Sequence, residues 1–211
     1  MTPLYAIGRV ILIPLVKILF FLKVNGKGNI PKNGGFILCS NHLSNFDPVL
    51  IGVAQRRQLF FMAKSELFRN KFFGWLIRKL GAFPVERGAG DGKAINTAEK
   101  IINEGKTLGI FIEGTRSKTG ELLRPKAGAA MIAQQTKADV VPVCITPKNK
   151  KIRVFSKVTV SIGKPISYEQ LGLEESSPQA YRNASKMIMG RITEMRMIDS
   201  GKKILPEGNK K

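Results

Sequence analysis

The strongest constraint on the fold of this chain is an alternation, past residue 25, of short apolar runs of strand type with longer segments of helical periodicity. FILCS at 36–40 is the first strand candidate. Asp47 and Pro48 then mark a helix start, with Asp as N-cap and Pro at the first helical position, and the helix continues through VLIGVAQRRQ. Ser65 opens a second helix, ELFRNKFFGWLIRKL, which Gly81 closes. Asp91 caps AINTAEKIINE, Gly105 stops it, and LGIFIE reads as a buried-type strand ending in a polar turn. GAAMIAQQ as helix and VVPVCIT as strand form another unit; after KVTVSIG, Ser177 and Pro178 begin the long helix QAYRNASKMIMGRITEMRMI. The pattern predicts an α/β fold, a mostly parallel mixed sheet flanked by helices, with functional groups gathered in loops at strand ends.

Residues 4–24, LYAIGRVILIPLVKILFFLKV, stand apart from this alternation. The run is apolar but interrupted by Arg9, Pro14, Lys17 and Lys23, and VNGKGNIPK after it is no small-residue cleavage site, so it does not read as a secretory signal. Cations within the run would be costly at a bilayer centre. At about 100° per residue the three cations share an arc of roughly 120°, leaving an apolar face, the pattern of an amphipathic membrane-interfacial helix. Pro14 is expected to kink it or split it in two. A core helix with snorkelling cations is the alternative. Residues 1–25 are thus expected to form an interfacial segment, 26–200 one folded domain and 201–211 a flexible basic tail.

Thirty-five Lys and Arg against fifteen Asp and Glu give the 211-residue chain a formal charge of +20, which implies a polyanionic partner. Nucleic acid and anionic lipid both satisfy charge alone. Cys39 and Cys144 lie inside apolar runs, where a free thiol packs as a small hydrophobe, and a disulfide is not required. With one histidine and no CxxC pair, no metal site is expected.

That histidine stands in Asn41-His42-Leu43-Ser44-Asn45-Phe46-Asp47, after a strand and before a capped helix. Five residues along a regular helix rotate a side chain by about 140°, so His42 and Asp47 can meet only if a loop folds back between them. One carboxylate oxygen is then expected on the imidazole and the other on a backbone N–H. Such an aspartate fixes the tautomer and leaves the second ring nitrogen free to take a proton from an alcohol. Alone, the spacing reads first as a plain capping Asp beside an incidental His.

Three further segments add to it. Gly81-Ala82-Phe83-Pro84-Val85-Glu86-Arg87 places a cation at the end of an extended stretch, with Gly88, Ala89 and Gly90 after it. Phe111-Ile112-Glu113-Gly114-Thr115-Arg116-Ser117 ends a strand with a carboxylate, a glycine, two hydroxyls and an arginine. Val141-Pro142-Val143 begins another strand, where proline is expected only at an edge or a strand start.

Together these segments resemble the glycerolipid acyltransferase family, in particular the bacterial 1-acylglycerol-3-phosphate acyltransferases, whose blocks N-H-x-x-x-x-D, G-x-F-x-x-R, F-x-E-G-T-R-S and hydrophobic-Pro-hydrophobic occur here in order. The resemblance runs from about Gly26, through Asn29-Ile30-Pro31, to Pro165. Ile112 departs from it, standing where the family most often has proline. The resemblance implies an acyltransferase catalytic domain in which His42 is the general base and Asp47 its orienter, and an acceptor hydroxyl attacks the thioester of acyl-CoA or acyl carrier protein without an acyl-enzyme. It assigns Arg87 to the acceptor phosphate, with Glu113, Gly114, Thr115 and Arg116 as the other wall. Glu113 either orients the glycerol hydroxyl or holds Arg116, and a mutual salt bridge stiffening the turn is the structural alternative. No cofactor is implied.

Lysophosphatidate is the expected acceptor, with glycerol 3-phosphate or another lysolipid, or a non-catalytic lipid-binding module, as alternatives. An anionic membrane surface accounts for the charge. Arg56, Arg57, Arg69, Lys71, Arg78 and Lys79, interleaved with Phe68, Phe72, Phe73 and Trp75, form a second expected interfacial patch. A nucleic-acid partner leaves the four blocks unexplained. The expected location is the cytoplasmic face of the cell membrane, peripheral or monotopic.

Overall fold

In the computed structural model, which describes residues 1–85 and 92–201, the strands are β1 (Lys23–Asn25), β2 (Phe36–Ser40), β3 (Leu59–Lys64), β4 (Ala82–Val85), β5 (Thr107–Phe111), β6 (Val140–Pro147) and β7 (Val158–Ile162). The α-helices are α1 (Pro3–Phe20), α2 (Asp47–Ala54), α3 (Lys71–Lys79), α4 (Gly92–Asn103), α5 (Gly128–Thr136) and α6 (Pro178–Asp199). The strands form one sheet in the order β1-β7-β6-β2-β5-β3-β4. All neighbours are parallel except β6 and β7. This is the expected α/β architecture.

Alternation along the strands divides the core between the two faces of the sheet. On β2, Ile37 and Cys39 enter a cluster with residues of α4, α5 and α6, whereas Phe36 and Leu38 enter one with residues of α1 and α2. Every residue of β2 and β6 is buried, as suits strands covered on both faces. Each large side chain so buried contributes about 1.5–3 kcal/mol.

Several expectations are corrected. Helix α1 is continuous through Pro14, neither split nor divided at that point. Its halves are both anchored, Tyr5 on one side of the proline and Val16 and Phe20 on the other being buried. Arg9 does not share a solvent arc with Lys17; its guanidinium donates to the carbonyls of Gly52 and Gln55 at the end of α2, and Lys23 belongs to β1. A helix C-terminus carries unsatisfied carbonyls and partial negative charge, so Arg9 completes α2.

The segment after Ser65 is a short 3-10 turn (Ser65–Phe68) followed by α3, because Asn70 caps the Phe73 N–H at 2.9 Å and restarts the helix. Pro142 lies in an interior strand. The ladder to β7 begins only at Val143, and beside the proline runs Gly163, where a Cβ would lie 2.9 Å from the Pro142 ring. Strands β1 and β3 have no counterpart in the sequence reading; one is three residues long, and the other is a short apolar run with no alternation to mark it. Ser177 and Pro178 start α6 as expected, the serine accepting from the Ala180 N–H at 3.1 Å. The Asp91 cap and the 201–211 tail fall on or run into residues outside those described.

Candidate active site

Parallel pairing of β2 with β5, in the register Ser40 to Phe111, brings the chain that leaves each strand to the same carboxyl edge of the sheet. Asn41 fixes the exit from β2. Its side-chain amide donates to Ile145 O at 3.0 Å and accepts from Ile145 N at 2.8 Å, so a buried side chain continues the sheet towards β6. His42 is then held through its backbone: its N–H faces Glu113 Oε1 at 3.4 Å, and its carbonyl accepts from Ser117 N at 2.9 Å.

The imidazole Nδ1 lies 2.6 Å from Asp47 Oδ2, and the ring stacks on Phe111 with centroids 3.9 Å apart and planes at 11°. Phe111 stacks in turn on Phe61 at 5.4 Å. A carboxylate can only accept, so Nδ1–H is the donor of this bond and Nε2 is the ring nitrogen left for another partner. Nε2 makes no hydrogen bond among the described residues, and the His42 side chain is 12% exposed. The arrangement is an imidazole held in plane by Asp47 and Phe111, with Nε2 unengaged.

Asp47 achieves this differently from the sequence expectation. It is the first residue of α2, after Phe46, rather than its N-cap, and its carboxylate turns back along the chain. A single oxygen, Oδ2, receives the imidazole together with the N–H groups of Leu43 at 2.6 Å and Ser44 at 2.8 Å, while Oδ1 is buried without a hydrogen-bond partner. The turn closed by Asp47 N and Ser44 O wraps both amides around the same oxygen, forming a small anion-binding concavity.

The second wall begins at Ile112, whose N–H donates to Ser40 O at 2.9 Å, a bond that proline at this position could not make. Glu113 is buried, and burial pushes its carboxyl up to about 7 against the opposing pull of the His42 and Leu123 N–H groups and the Arg196 charge. Gly114 turns the chain at a φ of 69°, in the left-handed region that glycine adopts without strain. Thr115 and Arg116 are exposed. Arg116 bonds Asn45 Oδ1 at 2.7 Å and forms no salt bridge with Glu113, so it ties the two loops together at the surface.

Because the folded carboxyl of Glu113 is weaker than in the unfolded chain, the folded state holds its proton to higher pH. The stability this favours is present below about pH 4.5 and lost as pH rises to about 7. Glu113→Gln should therefore gain stability relative to wild type between those values, read as a widening difference in urea midpoint; a difference constant with pH would contradict the burial effect.

Thus His42, Asp47 and Glu113 form one cluster, with Gly114, Thr115 and Arg116 leading away from it. Arg87 lies outside the described residues, although β4 carries the chain to the same sheet edge just before it. Cys39 and Cys144 are free, buried thiols whose pKa values burial raises, which makes them inert as nucleophiles. Asn41, Asn45 and Phe111 have structural parts in the site that went unassigned, although all three stand within the quoted motifs. Arg196, far along the chain, had no local signal.

A mostly parallel α/β sheet thus carries a His–Asp pair and a buried carboxylate together at its carboxyl edge, where the loops of such folds gather their functional groups. The sequence profile of the Acyltransferase family matches residues 21–146. A 1-acyl-sn-glycerol-3-phosphate acyltransferase of Bacillus subtilis (strain 168) is 37% identical over 148 residues, covering 69% of this chain and 73% of the relative. Its counterpart in Streptococcus pneumoniae is 32% identical over 165 residues, covering 73% of this chain and 61% of the relative. The crystal structure of the 1-acyl-sn-glycerophosphate (LPA) acyltransferase from Thermotoga maritima has the same fold, with a TM-score of 0.71 and 23% identity over 95% of this chain and 100% of that one. The chain belongs to the Acyltransferase family.

Proposed function

We propose that this enzyme transfers a fatty acyl chain from acyl-CoA or acyl carrier protein to the 2-hydroxyl of lysophosphatidate, giving phosphatidate. The observation that carries the reading is the 2.6 Å contact of His42 Nδ1 with Asp47, which leaves Nε2 unengaged. Nε2 takes the acceptor's hydroxyl proton as the oxygen attacks the thioester carbonyl. The tetrahedral intermediate then collapses, the ester bond remains, the C–S bond breaks, and the imidazolium returns its proton to the departing thiolate. Asp47 stabilises the imidazolium between these steps. Glu113, close to the His42 backbone, orients the glycerol portion.

The names of the relatives, together with the cationic residues of the matching motifs, support lysophosphatidate as the acceptor. Acyl transfer should be measured with purified protein, offering lysophosphatidate, glycerol 3-phosphate and a neutral lysolipid with each donor. Activity on lysophosphatidate supports the reading, whereas activity confined to another acceptor keeps the chemistry and removes this substrate. Arg87→Ala should raise KM for lysophosphatidate by about tenfold or more and leave KM for the donor unchanged, as loss of a charge-assisted phosphate contact requires. Equal effects on both substrates would place the phosphate elsewhere.

Membrane association rests on α1. Its length and composition would suffice to cross a bilayer, but Val16 and Phe20 dock into the domain while Ile7, Val10, Ile11, Leu15, Ile18 and Phe21 remain exposed along the other side. A helix docked along one side and apolar along the other fits a leaflet interface. Exposed Phe72, Phe73 and Trp75 on α3, with Arg78 stacked over Phe68, offer a second apolar and cationic patch. Arg57 is not part of it, since it donates to the carbonyls of Pro31 and Gly105 within the domain. Val10→Glu/Ile18→Glu should lower binding to anionic liposomes at least about tenfold without altering the folded domain; unchanged co-sedimentation would exclude α1 as the membrane face. The cytoplasmic leaflet is the expected side, where acyl thioesters are made.

A further inference from the structure

We propose that Arg196, on the C-terminal helix α6, is a positioning residue for Glu113: its guanidinium anchors the loop that follows Glu113 and supplies the counter-charge to that buried carboxylate. The inference rests on the reading of Glu113 as a group that orients the acceptor.

Arg196 stands in the last turn of α6, outside the stretch that carries the family motifs. One terminal nitrogen, Nη2, donates to Gly120 O, at the far end of the Glu113 loop. The other, Nη1, is buried with no hydrogen-bond partner among the described residues, and so is Glu113 Oε2. Unpaired buried polar atoms are few in folded proteins and each asks for a reason. Here the two belong to groups of opposite charge, and the Arg196 charge is one of the influences that oppose the upward push of burial on the Glu113 carboxyl.

The other groups facing that carboxyl do not supply a positive charge. From the loop between β2 and α2 come the His42 N–H and the Asp47 carboxylate, which repels it. The Leu123 N–H approaches but makes no hydrogen bond of ordinary geometry. From β6 comes Cys144, a buried thiol held in its neutral form. Arg196 is thus the cation, among these neighbours, that favours an ionised Glu113, the form able to accept a hydrogen bond from a glycerol hydroxyl.

The same residue holds the far end of the loop. Gly120 sits at a φ of 83°, and a Cβ there would lie 2.2 Å from Lys150 O, so the carbonyl that Arg196 engages belongs to a tightly seated turn. Loop anchor and counter-charge are separable functions of one side chain. A neutral side chain of similar length removes the charge, and lysine keeps the charge while giving up the planar fork.

The test is the pH profile of kcat/KM for lysophosphatidate in wild type, Arg196→Gln, Arg196→Met and Arg196→Lys, with Glu113→Gln alone and combined with Arg196→Gln. Loss of the charge should move the acidic limb upward by roughly one pH unit in the Gln and Met variants, about a tenfold loss on the acid side that shrinks to under about threefold at alkaline pH. Arg196→Lys should keep the wild-type limb. In the Glu113→Gln background, Arg196→Gln should move nothing further. Two neutral variants are used so that the folding of either decides.

A loss equal at every pH overturns the proposal, since that is what a purely structural arginine gives. So does a shift that persists without Glu113, or one shared by the lysine variant. Wild-type activity in Glu113→Gln removes the acceptor role of Glu113 and the inference with it, whereas loss in Glu113→Gln with an unmoved limb in the arginine variants overturns the inference alone.

Discussion

His42→Ala lowers turnover by roughly 10² to 10⁴, the span expected for removal of a general base, and leaves KM for the acceptor within about threefold. The asymmetry is the informative part. The imidazole's proposed role lies in the proton transfer, when the hydroxyl oxygen becomes nucleophilic, so its loss falls on the transition state rather than on the bound ground state. Stability should change little: the side chain is partly exposed, and the loop keeps the Asp47 bonds to the Leu43 and Ser44 amides. Single-turnover acyl transfer with saturating lysophosphatidate, beside a urea titration, separates these effects. Unchanged turnover would end the base assignment.

Asp47→Asn is expected to reduce turnover by roughly 10² to 10⁴ and to destabilise the fold by about 1–3 kcal/mol, a combination that His42→Ala does not produce. The reason lies in the uneven use of the carboxylate. Three donors converge on Oδ2, and Oδ1 is buried without a partner. An asparagine can keep all three bonds only by placing its oxygen at the Oδ2 position, which buries its NH₂ unpaired; the opposite flip sets NH₂ against three donors. Either way the imidazolium loses the neighbouring negative charge. Full activity in this variant would show that the histidine needs no ionised partner, and an unchanged urea midpoint would show that the second oxygen position tolerates a donor.

Much of the site was legible because its residues lie in short contiguous motifs. The spacing of His42 and Asp47 demanded a folded-back loop, and one is present. The division of labour between the two carboxylate oxygens was not legible, since it depends on which amides the turn at residues 43–44 aims inward. Glu113 and Arg116 sit three residues apart and could have paired. Burial of one and exposure of the other separate them, and Arg116 finds Asn45 across the loops. Arg196 offered nothing to read: its connection to Gly120 spans 76 residues and exists only because α6 packs against the sheet.

The N-terminal segment shows the same division. Its apolar character, its cations and its proline are all visible in the sequence, and angular arithmetic on those cations predicted a polar stripe. Docking changed the outcome. Arg9 is drawn to the carbonyls that end α2, where a fixed cation satisfies exposed backbone acceptors, and the face turned outward becomes the more apolar one.

The sequence by itself determined the fold class, the order of most elements and the motifs that hold the reactive groups, because apolar period, caps and short-range spacing are local properties that the chain carries with it. Tertiary structure alone decided that β2 and β5 lie side by side, so that His42 and Glu113 share a carboxyl edge, that one oxygen of Asp47 does the work of two, and that Arg196 reaches the carbonyl of Gly120. Each of these depends on strand order, burial and helix packing, which are set by the free energy of the whole core rather than by any segment of it.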